Sequence, residues 1–194
     1  MKIGYAVCGS FCTHKYVLPM MKKLIDEGHE IIPVLSEISA NTDTRFGKAK
    51  DFTDEITALT GKIPILTVKD AETIGPKKLT DVMIIAPCTG NTLAKLANGI
   101  TDTSVTMAAK ANLRNLKPLL LAVATNDALS ASAQNIGRLM NTKNVFFVPM
   151  SQDDEINKPT SVIADFTLIP AALESAMNYK QLMPVYIPRN QTKI

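Results

Sequence analysis

The stretch "APCTGNTLAKLANGITDT" (residues 86–103) continues an apolar run, "DVMIIAP" (81–87), and passes through a proline and small hydroxyl and amide side chains into a helical pattern. An unbroken apolar run suits a strand covered on both faces, and "NTLAKLANG" suits a short helix closed by Asn98 and Gly99. Asn-Gly often marks a hairpin, but after a helical pattern it reads as a C-terminal cap. The unit is therefore strand, turn, helix.

The same unit recurs on either side. Strand-like runs occur at "KIGYAV" (2–7), "EIIPVL" (30–35), "PLLLAVA" (118–124) and "NVFFVP" (144–149). Between the first two, Val17, Leu18, Met21, Leu24 and Ile25 repeat at helical spacing, with Gly28 as the stop and Pro19 leaving the helix start open. Farther on, Phe52, Ile56 and Leu59 share one face of a helix within 45–62, and Asp102 or Thr103 can cap "SVTMAAKANLRN" (104–115). Two more helices are expected in 130–141 and in 161–182, the last broken or kinked at Pro170. Alternation of strand and helix predicts an α/β fold: a three-layer, Rossmann-like or flavodoxin-like doubly wound parallel sheet. One domain over 1–194 is expected, with a loosely held tail from about 184.

Composition narrows the function classes. With 46% hydrophobic and 20% charged residues the chain is built to bury a core, and its 21 basic and 18 acidic residues are scattered, without the basic stripe of a nucleic-acid binder. No apolar run approaches the ~20 residues that span a bilayer, and "MKIGYAV" enters a strand without signal-peptide features, so a cytoplasmic location without membrane contact is expected. Cys8, Cys12 and Cys88 are odd in number and lack a nearby histidine pair; they read as small buried thiols rather than a metal or disulfide site.

In an open parallel sheet ligands sit beyond the carboxyl ends of the strands. Four such loops, "CGSFCT", "SEISANTDTRFG", "APCTGNT" and "ATNDALS", carry small, hydroxyl or amide side chains. Gly9 permits close approach to the backbone, while Ser10, Ser36, Thr89, Asn91 and Thr92 can donate to a phosphate or a heterocycle without adding charge. Helix capping accounts for many such residues in any α/β protein. There is no G-x-x-x-x-G-K-[ST], and "GYAVCGS" lacks the third glycine of G-x-G-x-x-G, which argues against a P-loop or dinucleotide-binding domain.

Together these loops resemble the flavoprotein family of phosphopantothenoylcysteine and lantibiotic cysteine decarboxylases and prenylated-flavin synthases. The resemblance lies in "GS" (9–10), Ser36, "APCTGNTLAKLANGITDT" and "NIGRLMNTKNVFFVP" (135–149). It implies FMN at a subunit interface in trimers or multiples of trimers, with Gly9, Ser10, Ser36, Thr89 and Asn91 as FMN contacts. The chain departs from the decarboxylases in having no histidine after His29, and "ATND" (124–127) in place of their P-x-M-N loop.

A subgroup, the B subunits of bacterial dipicolinate synthase, is similar in "NTDTRFG" (41–47), "GPK" (75–77), "MAAKANLRN" (107–115), "ATNDALS" (124–130) and "SQDD" (151–154) with "KP" (158–159). That likeness implies formation of pyridine-2,6-dicarboxylate in the mother cell of a sporulating bacterium, alongside an A subunit that binds NADP. A dicarboxylate needs cations, and Arg45, Lys110, Arg114 and Arg138 are candidates, with Arg45 foremost. Asn126 and Asp127 are the remaining catalytic candidates, Asp127 as a general base or as a helix cap. His14, on the ligand side, is a proton donor or a helix-surface residue. Two alternatives stand beside this reading: an FMN-dependent decarboxylase, and a non-catalytic subunit with a degenerate flavin site.

Overall fold

The computed structural model describes residues 1–188. Four parallel strands, β1 (Lys2–Val7), β2 (Glu30–Leu35), β3 (Val82–Cys88) and β4 (Leu119–Thr125), lie in the order β2-β1-β3-β4. All seven residues of β3 are buried, as are the first six of β4. Their continuous apolar sequence is what a strand needs when helices cover both faces. Around this sheet lie helices α1 (Val17–Asp26), α2 (Glu37–Asn41), α3 (Ala49–Thr60), α4 (Val68–Glu72), α5 (Gly90–Ala97), α6 (Ser104–Leu113), α7 (Ala133–Met140) and α8 (Ile169–Met177). The short α2 and α4 carry too few residues to show a helical period, and no expectation covered them.

Local chemistry sets the boundaries. Pro19 is the third residue of α1, inside the first turn where its missing N–H has no intrahelical partner to lose, and a 3-10 turn (Phe11–Tyr16) leads into it. Thr103, not Asp102, caps α6 through a reciprocal pair with Thr106. Gly61 ends α3 in the left-handed conformation.

β4 is where the architecture changes. Over Leu119–Leu121 it pairs in parallel with β5 (Val145–Phe147). At Ala124–Thr125 it pairs antiparallel with β7 (Lys158–Ala164), which forms a hairpin with β6 (Met150–Asp154). The doubly wound parallel sheet is thus present, extended by an antiparallel hairpin into seven strands. The single helix expected over 161–182 is corrected accordingly. Residues 161–164 are strand, Asp165 accepts from the Thr167 N–H at 2.9 Å to start a 3-10 turn, and α8 begins at Ile169 with Pro170 in its first turn.

Each outer strand has its edge partly closed. Ile65 bonds twice to the outer edge of β2, accepting from Leu35 N–H and donating to Pro33 O. The Gln181 side chain imitates a strand against β5, accepting from Phe147 N–H at 2.8 Å and donating to Phe147 O at 2.7 Å. Beside β6, Met150 N–H donates to Val185 O and Ile187 N–H donates to Met150 O. The first part of the tail expected to be loose from residue 184 is therefore pinned to the sheet; 189–194 lie outside the described residues.

Candidate functional site

The carboxyl ends of β1, β3 and β4, with the antiparallel β7 beside them, open into a cleft of about 460 Å³. It gathers Gly9 and Ser10 after β1, Arg45 and Phe46 from the loop after β2, Thr89 after β3, and Thr125 at the end of β4 with Asn126 following it. The hairpin adds Asp153, Lys158 and Ser161. Of the residues singled out from sequence, Gly9, Ser10, Arg45, Thr89 and Asn126 share this cleft; Ser36, Asn91 and Asp127 are not among its lining.

The floor is built by close approach. A Cβ on Gly9 would stand 2.6 Å from Ile38 Cγ2, so only glycine lets α2 pack against the turn after β1. Ser36 caps that helix, accepting from Ser39 N–H at 3.3 Å, and shares a hydroxyl contact with Ser39 at 2.9 Å. Thr89 caps α5 in the same way, accepting from Thr92 N–H at 3.3 Å. Asn91, the next residue but one, is exposed on the first turn of α5.

Behind the cleft, Asp127 Oδ1 accepts from Thr125 Oγ1 at 2.5 Å and from Ser132 Oγ at 2.9 Å. All three atoms crowd Gly90 at the start of α5: a Cβ there would lie 2.7–2.8 Å from each of them. Asp127 thus ties the end of β4 to Ser132 at the start of α7, packed against Gly90 of α5. His14 is half-buried, stacks on Phe52 with ring centroids 4.5 Å apart, and donates from Nε2–H to Cys8 O at 2.9 Å. Burial holds its pKa below the ordinary histidine value, partly offset by that bond.

The hairpin supplies the wall that sequence patterning missed. Asp153 Oδ2 accepts from Lys158 Nζ at 3.1 Å and lies 3.3 Å from Ser161 Oγ, which is also 3.3 Å from Asn126 Oδ1. Ser161 has one proton for two acceptors, so it can switch between them. Asn126 O in turn accepts from Thr160 Oγ1. The pairing with Asp153 raises the Lys158 pKa and keeps it cationic. The available signal was the turn: Asp154 Oδ1 accepts from Ile156 N–H and Asn157 N–H, the Asx arrangement by which aspartate marks a hairpin.

The other candidates lie elsewhere. Arg138 donates to Ala97 O at 3.2 Å and Asn98 Oδ1 at 3.0 Å, capping the far end of α5. Lys110 and Arg114 fall at the end of α6 opposite Ser104, whose hydroxyl donates to Leu35 O at the carboxyl end of β2. Burial pushes the Cys8 thiol up to about 11 and Cys88 well above its ordinary value, as inert thiols behave, whereas Cys12 is exposed in the cleft and departs from that reading. Among the described residues, no three histidine, cysteine or acidic side chains converge to hold a metal, and no helix is long and apolar enough to cross a membrane.

A family model described as Flavoprotein matches residues 1–170. The B subunit of dipicolinate synthase from Bacillus subtilis (strain 168) is 44% identical over 190 residues, covering 98% of this chain and 95% of the relative. The crystal structure of the B subunit of dipicolinate synthase from Bacillus halodurans C superimposes with a TM-score of 0.88 at 40% identity, covering 96% of each chain. That of the FMN-dependent cysteine decarboxylase SpaF does so with a TM-score of 0.66 at 25% identity, covering 91% of this chain and 97% of that one. With a family match across most of its length and a near full-length relative at this identity, the chain belongs to the Flavoprotein family.

Proposed function

We propose that the chain is one subunit of an enzyme that forms pyridine-2,6-dicarboxylate from a dihydro- or hydroxytetrahydro-dipicolinate precursor, working in the cytoplasm of a sporulating mother cell with an A subunit that carries NADP. The observation that carries this reading is the pair of cleft cations from either side of β1, β3 and β4, Arg45 after β2 and Lys158 on β7. A flat ring bearing two carboxylates is bound by cations on two sides.

The residues present fit a flavin. The volume lies within the ~300–1,000 Å³ range of small-molecule sites, the glycine floor and the Ser10 and Thr89 hydroxyls suit a phosphate-bearing ring without excess charge, and the exposed Asn91 suits a ligand shared with a neighbouring copy in a homo-oligomer. FMN bound there would supply a two-electron acceptor. The hydroxytetrahydro compound becomes the dihydro compound by losing one water. The dihydro compound becomes aromatic by losing a hydride, which takes both electrons, and a proton. Arg45 and Lys158 hold the carboxylates, and Asp153 fixes the lysine. Asn126 and Ser161 offer hydrogen bonds along the wall between them, and Ser161 can pass a proton toward Asp153.

The test mixes the purified chain, the A subunit, NADP and precursor, and follows absorbance of the aromatic product. Arg45→Ala is expected to lower the rate at least tenfold, about 1.4 kcal/mol, while FMN fluorescence titration of the chain is unchanged. Full activity from the isolated A subunit overturns the reading. A chain that takes up no FMN removes the flavin from it.

A further inference from the structure

At the amino end of the sheet, away from the cleft, three non-glycine residues hold left-handed backbone around one carbonyl oxygen. They are Leu116 (φ 60°), Asn144 (φ 64°) and Tyr179 (φ 55°). Asn144 Nδ2 and the Tyr179 hydroxyl both donate to Leu116 O, at 3.2 and 3.1 Å. Asparagine tolerates this conformation; leucine and tyrosine are strained in it. Both stand just beyond helix ends, where glycine is the ordinary solution. The chain instead puts large side chains there and leaves them 63% and 55% exposed, with Met183 72% exposed nearby on the same groove. Burial within this chain explains none of the three.

That groove, of about 500 Å³, is floored by Val145 and Phe146. Its polar groups are largely spent: the Gln181 amide on Phe147, and Asn144 and Tyr179 on Leu116. Lys143 lines it, the exposed Lys180 follows Tyr179 directly in sequence, and the exposed Arg114 precedes Leu116 by two residues. Asp81, the acid at this end that meets Lys117, already accepts from Lys2 N–H at 2.9 Å.

We propose that this face docks a different polypeptide, one presenting an apolar projection ringed by carboxylates. An apolar centre within a charged rim is the anatomy of a protein interface. Charge decides the occupant. Two copies of this chain meeting here about a twofold axis would set Lys143, Lys180 and Arg114 against their own equivalents, whereas an acidic surface is attracted to all three. The inference rests on no property of the cleft. It does rest on the two-subunit proposal for its probe: the surface is assigned to the contact with the A subunit.

The test measures association of the full chain with the purified A subunit, using sedimentation velocity and calorimetry. Leu116→Gly suits the backbone and removes the side chain, so it should leave the thermal midpoint within about 2 °C of the unsubstituted protein while weakening association at least tenfold. The double substitution Lys143→Glu with Lys180→Glu should weaken it as much and abolish its salt dependence. Association unchanged by either variant overturns the surface and leaves the pairing standing. A complete lack of association overturns both. A self-dimer that Leu116→Gly dissolves assigns the face to a second copy and overturns the acidic partner.

Discussion

β4 lives in two environments within seven residues. Over Leu119–Leu121 it is flanked by β3 and β5, wholly buried and parallel; at Ala124–Thr125 it meets the antiparallel hairpin and opens on the cleft. The first environment is apolar and shape-determined. In the second, Asn126, Ser161, Asp153 and Lys158 are tied by hydrogen bonds, and both Lys158 and Asp153 stay partly in water. Stability is therefore concentrated in one half of the strand and recognition in the other, and the two should respond to substitution independently.

The largest effect should come from Leu120→Ala. This side chain is fully buried in the core, so its loss should cost about 3 kcal/mol, read as a lower urea midpoint at unchanged slope. A loss under about 1 kcal/mol would mean that the parallel half is not the stability centre. Lys158→Met sharpens the contrast from the other side. Its ion pair is too solvated to contribute much, so stability from urea unfolding should stay within about 0.5 kcal/mol, while inhibition by pyridine-2,6-dicarboxylate weakens about tenfold.

The smallest effect is a pH dependence from His14, which spans the two regimes. Burial holds its folded-state pKa below the ordinary value near 6.5, so below that value the unfolded chain takes up a proton that the folded one resists. Its neutral ring contributes stability that is complete above pH 6.5 and declines as pH falls toward the folded value. Urea midpoints taken from pH 8 to pH 5 should show this decline in the unsubstituted protein and a flatter profile in His14→Gln.

The two environments also differ in how far the sequence reveals them. β1 to β5 are visible because a strand covered on both faces reads as a continuous apolar run, as in "VMIIAPC". The hairpin is hidden because "SQDDEINKPTSVIA" (151–164) is half-exposed, with its apolar end running on into the true helix α8. Arg45 and Asn126 are legible because they lie in loops that the fold delivers to one edge. Lys158, Asp153 and Ser161 are not, since half-exposed strand residues show no period that sets them apart from a loop or a helix start. Arg138 shows the converse limit: a cation beside the right motif can still spend its donors on a helix terminus.

Gln181 carries a last consequence. Its amide offers one acceptor and one donor in the order that a peptide group would, so the backbone of Phe147 is answered as though another strand lay beside it. An unanswered edge is a template on which foreign chains can grow. Here growth ends in a single side chain, and the chemistry of that ending is fragile. Glutamate has the same outline but no Nε2–H, and its charge would face the Phe147 carbonyl. Hydrolysis of one amide would therefore turn a finished border into an open one without moving an atom of the backbone.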